Sequence, residues 1–344
     1  MHLKEKEYEE IRSYLSNSEK PFFLFHDDPD GLSSFLLLYN LVKNCTGMMV
    51  KAVPKVDGRF VRKASEDAYD KVFIMDIAMV EQSFVDEVRK PVIWIDHHQP
   101  LKVGGVKYFN PRSSNINDNY PASYTCYKVN NDKANLWIAM TGIVGDWMIP
   151  EFAGEFAEKY PDLWGKKVKK PDDAIFETEL GKLVKIFSFV LKGTISDAVK
   201  CIRILTRIED PYEILNQTSP AGKYLFKKYE KINMGYEAVY KEAKKAVTKD
   251  KFVVHTYRGE QSFSGEVANE LLHFHPDKII VVGRIREGEV RMSLRGSGKN
   301  LILPRLQKAL EGVGGYGGGH EYACGAAVKV EDFDRFIENF KSRF

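Results

Sequence analysis

Three short apolar runs, each ending in an acid, most constrain what this chain can fold into. Pro91-Val92-Ile93-Trp94 leads through Ile95 into Asp96-His97-His98-Gln99-Pro100. Pro21-Phe22-Phe23-Leu24-Phe25 leads into His26-Asp27-Asp28-Pro29-Asp30-Gly31, and Lys71-Val72-Phe73-Ile74-Met75 leads into Asp76. Their β-branched and aromatic character and their length predict buried strands. Helical segments separate them, at 32–42 and near 80–89. Alternation of this kind predicts an α/β fold built on a doubly wound parallel sheet. In such sheets ligands bind at the carboxyl ends of the strands, where these acids stand. Adjacent residues on a strand point to opposite faces, so His97 and His98 can share a site only past the strand end, in different roles.

Taken in order, residues 5–17 read as a helix with Tyr8, Ile11, Tyr14 and Leu15 on one face. A strand follows at 21–25, then a loop from His26 to Gly31, then the helix from Leu32. Further strands are expected at 48–53, 71–75 and 91–95. Residues 106–120 read as a loop, followed by a helix from Pro121-Ala122-Ser123 to about Val129. A second helix, Leu136 to Val144, delivers another acid, Asp146. The expected domains are 1–150, a metal-binding catalytic domain; 151–250, a helical connector rich in Lys, Glu and aromatics; and 251–344, a smaller α/β domain. The last has strands near 252–257, 278–283, 290–295 and 323–330. Between the last two strands lie a helix at 301–311 and the glycine run Gly314-Gly315-Tyr316-Gly317-Gly318-Gly319-His320. Lys166-Lys167-Val168-Lys169-Lys170 reads as a solvated loop.

Composition narrows the function classes. At 44% hydrophobic and 29% charged the chain is an ordinary globular protein. No run approaches the roughly 18 apolar residues of a membrane span. The N-terminus lacks the apolar core of a signal peptide, and Cys45, Cys126, Cys201 and Cys324 are too scattered for a metal-type pairing. A cytoplasmic, reducing location and no membrane partner are expected. A net charge of +3 gives no global basic field, so a polyanion would have to meet a local patch or a metal. Arg112, Lys166, Lys167, Arg284 and Arg286 are candidates for a basic track.

His26, Asp28, Asp30, Asp76, His97 and Asp146 together supply four carboxylates and two imidazoles. Mixed oxygen and nitrogen ligands favour Mn²⁺, with Mg²⁺, Co²⁺ or Zn²⁺ as alternatives. Six ligands exceed what one catalytic ion with open positions needs; they suit two ions with one carboxylate bridging. The glycine run lets backbone N–H groups approach an anion, with Arg295 and His320 as further donors.

These residues resemble the DHH–DHHA1 phosphoesterase superfamily. His26-Asp27-Asp28-Pro29-Asp30-Gly31 is similar to its H-x-D-x-D-G motif, Asp76 to its second acid, Asp96-His97-His98 to the motif that names it, and Asp146 to its fourth. Gly317-Gly318-Gly319-His320 with Ala323-Cys324-Gly325 resembles the GGGH…AAG signature, with Cys324 in place of an alanine. The resemblance implies one ion on His26, Asp28 and Asp76, and a second on Asp30, Asp76, His97 and Asp146. It implies that Asp96 orients a histidine, that His98 contacts the substrate phosphate, and that Ser123, Arg295, Gly318, Gly319 and His320 bind substrate. It further implies a two-Mn²⁺ phosphodiesterase. By layout this would be a single-strand 3′→5′ exonuclease on DNA or RNA, like the archaeal enzymes of the Hef-associated type. A nanoRNase, a pAp phosphatase or a cyclic-dinucleotide phosphodiesterase acting on short oligonucleotides is the alternative. A non-catalytic replication scaffold is a third reading. A homodimer and a repair or replication helicase are the partners it leaves open.

Overall fold

The structure is a computed structural model describing residues 2–51 and 54–344. It divides into two compact units, Met1–Tyr229 and Glu230–Phe344.

The first unit opens with helix α1 (Glu5–Ser16), then β1 (Phe22–His26), α2 (Pro29–Val42) and β2 (Thr46–Val50). Strand β3 (Lys55–Val56) and helix α3 (Val61–Ala64) precede β4 (Val72–Met75), β5 (Met79–Val80), α4 (Gln82–Val88), β6 (Val92–Ile95) and β7 (Val106–Phe109). Five strands form one sheet in the order β2-β1-β4-β6-β7, all parallel, and β3 pairs with β5 apart from it. Side chains alternate across this sheet. Phe22, Leu24, Val72, Ile74, Val92 and Trp94 pack with Ala64 of α3 and Phe84 of α4. On the other face Phe23 and Phe25 meet Phe35 of α2, with ring centroids 6.0 and 4.6 Å apart. Both faces are covered, which is why these strands are apolar throughout.

Three boundaries differ from the sequence reading. Helix α2 starts at Pro29, not Leu32. Asp28 is its N-cap, accepting from Gly31 N–H at 2.9 Å, and Pro29 fills the first turn, where its missing N–H costs nothing. The strand expected at 48–53 begins earlier, at Thr46; Ala52 and Val53 lie outside the described residues. Residues 106–109, expected as loop, are the edge strand β7. Only Phe109 of its four residues is fully buried, so its apolar signal is weak.

Helices α5 (Ala122–Asn130) and α6 (Leu136–Gly145) stack on α2. Gly142 is the point of closest approach. A Cβ there would lie 2.6 Å from Ser33 Cβ and 2.7 Å from Ser123 Oγ. Both neighbours are fully buried and have no room to yield. Gly142→Ala is expected to destabilise the protein by about 1–3 kcal/mol, as overpacking does. A thermal melt against wild type reads this; an unchanged midpoint would contradict the close packing.

Helices α7 (Ala153–Lys159), α8 (Pro161–Trp164), α9 (Pro171–Glu177), α10 (Glu179–Val190), α11 (Ile195–Leu205) and α12 (Pro211–Leu215) complete the unit. Helix α10 packs against α6 and α2, with Leu180, Leu183, Ile186 and Phe187 buried. Helix α13 (Pro220–Lys245) carries the chain into the second unit.

That unit contains β8 (Phe252–Arg258), α14 (Ser264–Phe274), β9 (Ile279–Arg286), β10 (Glu289–Arg295), α15 (Leu303–Ala309), β11 (Gly315–Gly319), β12 (Ala323–Lys329) and α16 (Phe333–Lys341). The sheet order is β11-β12-β10-β9-β8, antiparallel except for β8 with β9. Val290, Met292 and Leu294 of β10 join Leu306, Phe336 and Phe340 in a core on one face, and α14 packs on β9 and β10. The glycine run, expected to present backbone N–H groups to an anion, is largely an edge strand. Gly317 and Gly318 pair with Ala326 and Gly325, and a Cβ at Gly317 would sit 2.9 Å from Gly325 O, so bare backbone is what allows this approach.

Candidate metal centre

The acids that end β1, β4 and β6 meet above the sheet. Asp76 leaves β4 with φ +55, a left-handed conformation that a short acid tolerates better than most residues. Its N–H is held by Ile95 O at 3.0 Å, so pairing with β6 fixes the turn. The side chain is buried, with Oδ1 3.3 Å from His97 Nε2 and Oδ2 3.5 Å from His26 Nδ1. His26 Nδ1 also lies 2.8 Å from Asp28 Oδ2. His97 Nε2 is 3.9 Å from Asp30 Oδ2, and its Nδ1 is 3.6 Å from Asp146 Oδ2. All six predicted ligands therefore fall in one cluster.

Within it, two groups have ligand atoms close enough to hold an ion: His26 with Asp28 and Asp76, and Asp76 with His97 and His98. Asp76 belongs to both. His98 is in the second group, although the sequence reading gave it to substrate. Asp30 is held differently. Its carboxylate accepts from Ala122 N–H and Ser123 N–H, each at 2.9 Å, and from the Ser123 hydroxyl. It satisfies the free N–H groups at the start of α5, which docks that helix on the site. Asp146 follows the last turn of α6.

Other residues set the rings. Asp96 takes the His98 N–H at 3.1 Å and His98 Nδ1 at 2.8 Å. Tyr108 and Asn110 donate to Asp96 Oδ2 at 3.2 and 3.3 Å, and Asn119 Oδ1 lies 3.0 Å from His97 Nδ1. Sequence reasoning missed Tyr108, Asn110 and Asn119. They lie on β7 and the loop after it, a stretch dense in polar residues with nothing to single these three out.

The electrostatics fit a cation-binding cluster. Burial and the charge of Asp76 raise Asp28 and Asp30, and burial raises Asp146 to about 7. Burial alone would lower His26 and His97. Hydrogen bonds to Asp28 and Asp76 hold His26 at about 11, and Asp76 and Asp146 raise His97. Asp76 stays below the usual carboxylate range despite burial, because both imidazoles lie close to its oxygens. Without an ion the cluster needs protons to balance its charge. Oδ2 of Asp76 and Oδ2 of Asp146 are buried without a hydrogen-bond partner, which fits oxygen atoms awaiting a ligand.

In the second unit, Arg295 Nε donates to Asn269 Oδ1 at 2.5 Å and Nη1 to Cys324 O at 3.2 Å. His320 is exposed at a tight turn, exchanging backbone bonds with Ala323. Gly318 lines a groove of about 490 Å³ with Ser262, Ser264, Arg291, Ser293 and Tyr316. Of the basic-track candidates, Arg284 donates to Glu260 O and Arg286 pairs with Glu287. Lys166 and Lys167 are exposed, and Arg112 Nε is buried without a hydrogen bond.

Residues 249–344 match the family model described as the DHHA1 domain. The fold of the whole chain matches an exonuclease RecJ solved with manganese (TM-score 0.63, 14% identity), covering 100% of this chain and 95% of that one. It also matches RecJ from Thermus thermophilus (TM-score 0.66, 16% identity), spanning 100% of this chain and 56% of that one. The chain has the fold of these RecJ exonucleases, and its C-terminal part matches the DHHA1 model. A pGpG-specific phosphodiesterase from Vibrio shares the fold at TM-score 0.52 and 13% identity, over 94% of this chain and 98% of that one. No curated protein matches the chain in sequence. Among the described residues, no helix is long and apolar enough to cross a membrane.

Proposed function

We propose that this chain is a metal-dependent phosphodiesterase, and that its substrate is single-stranded nucleic acid degraded from the 3′ end. The placement of Asp76 carries the reading. Its two oxygens face two different histidines, 3.3 and 3.5 Å away, as a carboxylate shared by two ions requires. His26, Asp28 and Asp76 would hold one ion; Asp30, Asp76, His97 and Asp146 would hold the other, with His98 beside it. Oxygen and nitrogen ligands without thiolate favour Mn²⁺. The RecJ solved with manganese supports that choice. Bound there, two cations would supply a nucleophilic water at neutral pH and neutralise charge on the phosphoryl oxygens.

The chain's own residues do the rest. Asp96, fixed by Tyr108 and Asn110, holds His98 by Nδ1 and leaves Nε2 to donate to a phosphate oxygen. The pull of Asp96 keeps that imidazole protonated more readily than usual, against the effect of burial. Asn119 fixes the ring of His97. In the DHHA1 unit, Gly318, Gly319, Arg295 and His320 would bind substrate.

A second reading, hydrolysis of pAp, short oligonucleotides or cyclic dinucleotides, is favoured by the likeness to the pGpG phosphodiesterase. The intact ligand cluster opposes a scaffold without catalysis. A single strand labelled at its 5′ end, digested with Mn²⁺ or with EDTA, separates these. A ladder shortening stepwise with Mn²⁺ alone is the expected result. Cleavage of dinucleotides but not of long strands would move the assignment to the small substrates. No Mn²⁺-dependent cleavage of either would overturn it.

A further inference from the structure

Trp147 follows Asp146 and departs from every local preference. Its φ is +61, a conformation that a bulky aromatic residue rarely adopts. Its indole is 45% exposed, whereas Trp94 and Trp137 are buried. The conformation is held from both sides: Trp147 N–H donates to Val144 O at 3.0 Å, and Met148 N–H to Ile143 O at 3.1 Å. The indole leans on Phe176 of α9, ring centroids 6.0 Å apart and tilted by 60°. An ordinary core Trp would be buried, and an ordinary turn residue would be Gly or Asn. Here the backbone keeps a strained position that leaves a large aromatic surface in water, one residue along the chain from Asp146.

We infer that Trp147 is the stacking platform for a nucleobase of the substrate, the base of the nucleotide whose phosphate is cleaved at the adjoining cluster. This rests on the phosphodiesterase reading and adds what that reading lacks, a reason for the enzyme to prefer nucleotides over other phosphodiesters. Every base has a π-face, so a single platform gives base preference without sequence preference. Phe176 supports the indole from one side and reduces the freedom lost when a base stacks on the other. Strain kept at a functional position is the expected signature of such a residue.

The test compares a dinucleotide with an analogue whose base at the scissile position is replaced by an abasic ring, using the full chain and Mn²⁺. The ratio of kcat/KM for the two substrates is expected to fall by about tenfold in Trp147→Leu, the loss of one stacked base, with the change in KM. Trp147→Phe should restore most of it. An unchanged ratio in Trp147→Leu would overturn the proposal. A second readout does not need turnover. Adenosine 5′-monophosphate with Mn²⁺ should quench the wild-type tryptophan emission saturably, and the quenching should vanish in Trp147→Phe. Equal quenching in both, or none in wild type, would overturn it. If wild type cleaves neither these substrates nor the labelled single strand, the phosphodiesterase reading falls, and the emission titration still decides the role of Trp147.

Discussion

Asp76→Asn is expected to abolish Mn²⁺-dependent hydrolysis. The carboxylate is buried, serves both histidines, and belongs to both groups of ligand atoms. An amide keeps the shape but removes the charge and one acceptor, so neither ion would keep its full ligand set. Loss of the several kcal/mol that a metal supplies to the transition state corresponds to on the order of 10³-fold or more in kcat/KM. The fold should survive, because β4 and its neighbours are held by backbone pairing and apolar packing rather than by this side chain. Turnover by the purified variant, with circular dichroism as the folding control, reads both. Turnover within tenfold of wild type would remove Asp76 from the centre.

Metal affinity is expected to climb steeply with pH, and metal-free stability to do the opposite. His26, held at about 11, and His97, raised well above its ordinary value, are both protonated near neutral pH without metal. Each ion must displace the proton of its own imidazole, so each apparent association constant should rise by about tenfold per pH unit above neutrality, tenfold for each proton released. Below about 7 the steepness should increase as Asp146 joins them. Folding without metal runs the other way. His26, His97, Asp30 and Asp146 all have folded values above their unfolded ones. Their contribution is complete at low pH and is lost as pH rises through the folded values, because the native state binds more protons than the unfolded chain. Asp76 is shifted down, and its contribution fails only in acid, below the ordinary range of a carboxylate. In EDTA the melting temperature should therefore fall between about pH 5 and pH 8. Titration calorimetry in buffers of different ionisation heat counts the protons. Metal affinity independent of pH would contradict the protonated cluster.

The parallel sheet and the clustering of these acids and histidines were legible in the sequence for one physical reason. Strands buried on both faces must be apolar to their last residue, so an acid at each end stands out, as Asp76 and Asp96 do. The start of α2 was less legible. Asp28 and Pro29 are turn residues by composition, and only the bond from Gly31 to Asp28 shows them acting as a helix start. That shift puts Asp30 in the first turn of a helix, where it holds α5. Strand β7 was hidden because an edge strand faces water. Asn110 and Asn119 were hidden because their roles come from contacts 14 and 22 residues away in sequence, with Asp96 and His97. Trp147 was passed over because exposure and a positive φ are properties of the fold rather than of the residue type.

The shared carboxylate is tested most directly by electron paramagnetic resonance of the Mn²⁺-loaded protein, with metal content measured on the same sample. Two Mn²⁺ per chain with the spectrum of a spin-coupled pair, replaced in Asp76→Asn by the signal of isolated ions or by none, is the predicted result. One Mn²⁺ per chain with an uncoupled spectrum in wild type would contradict it.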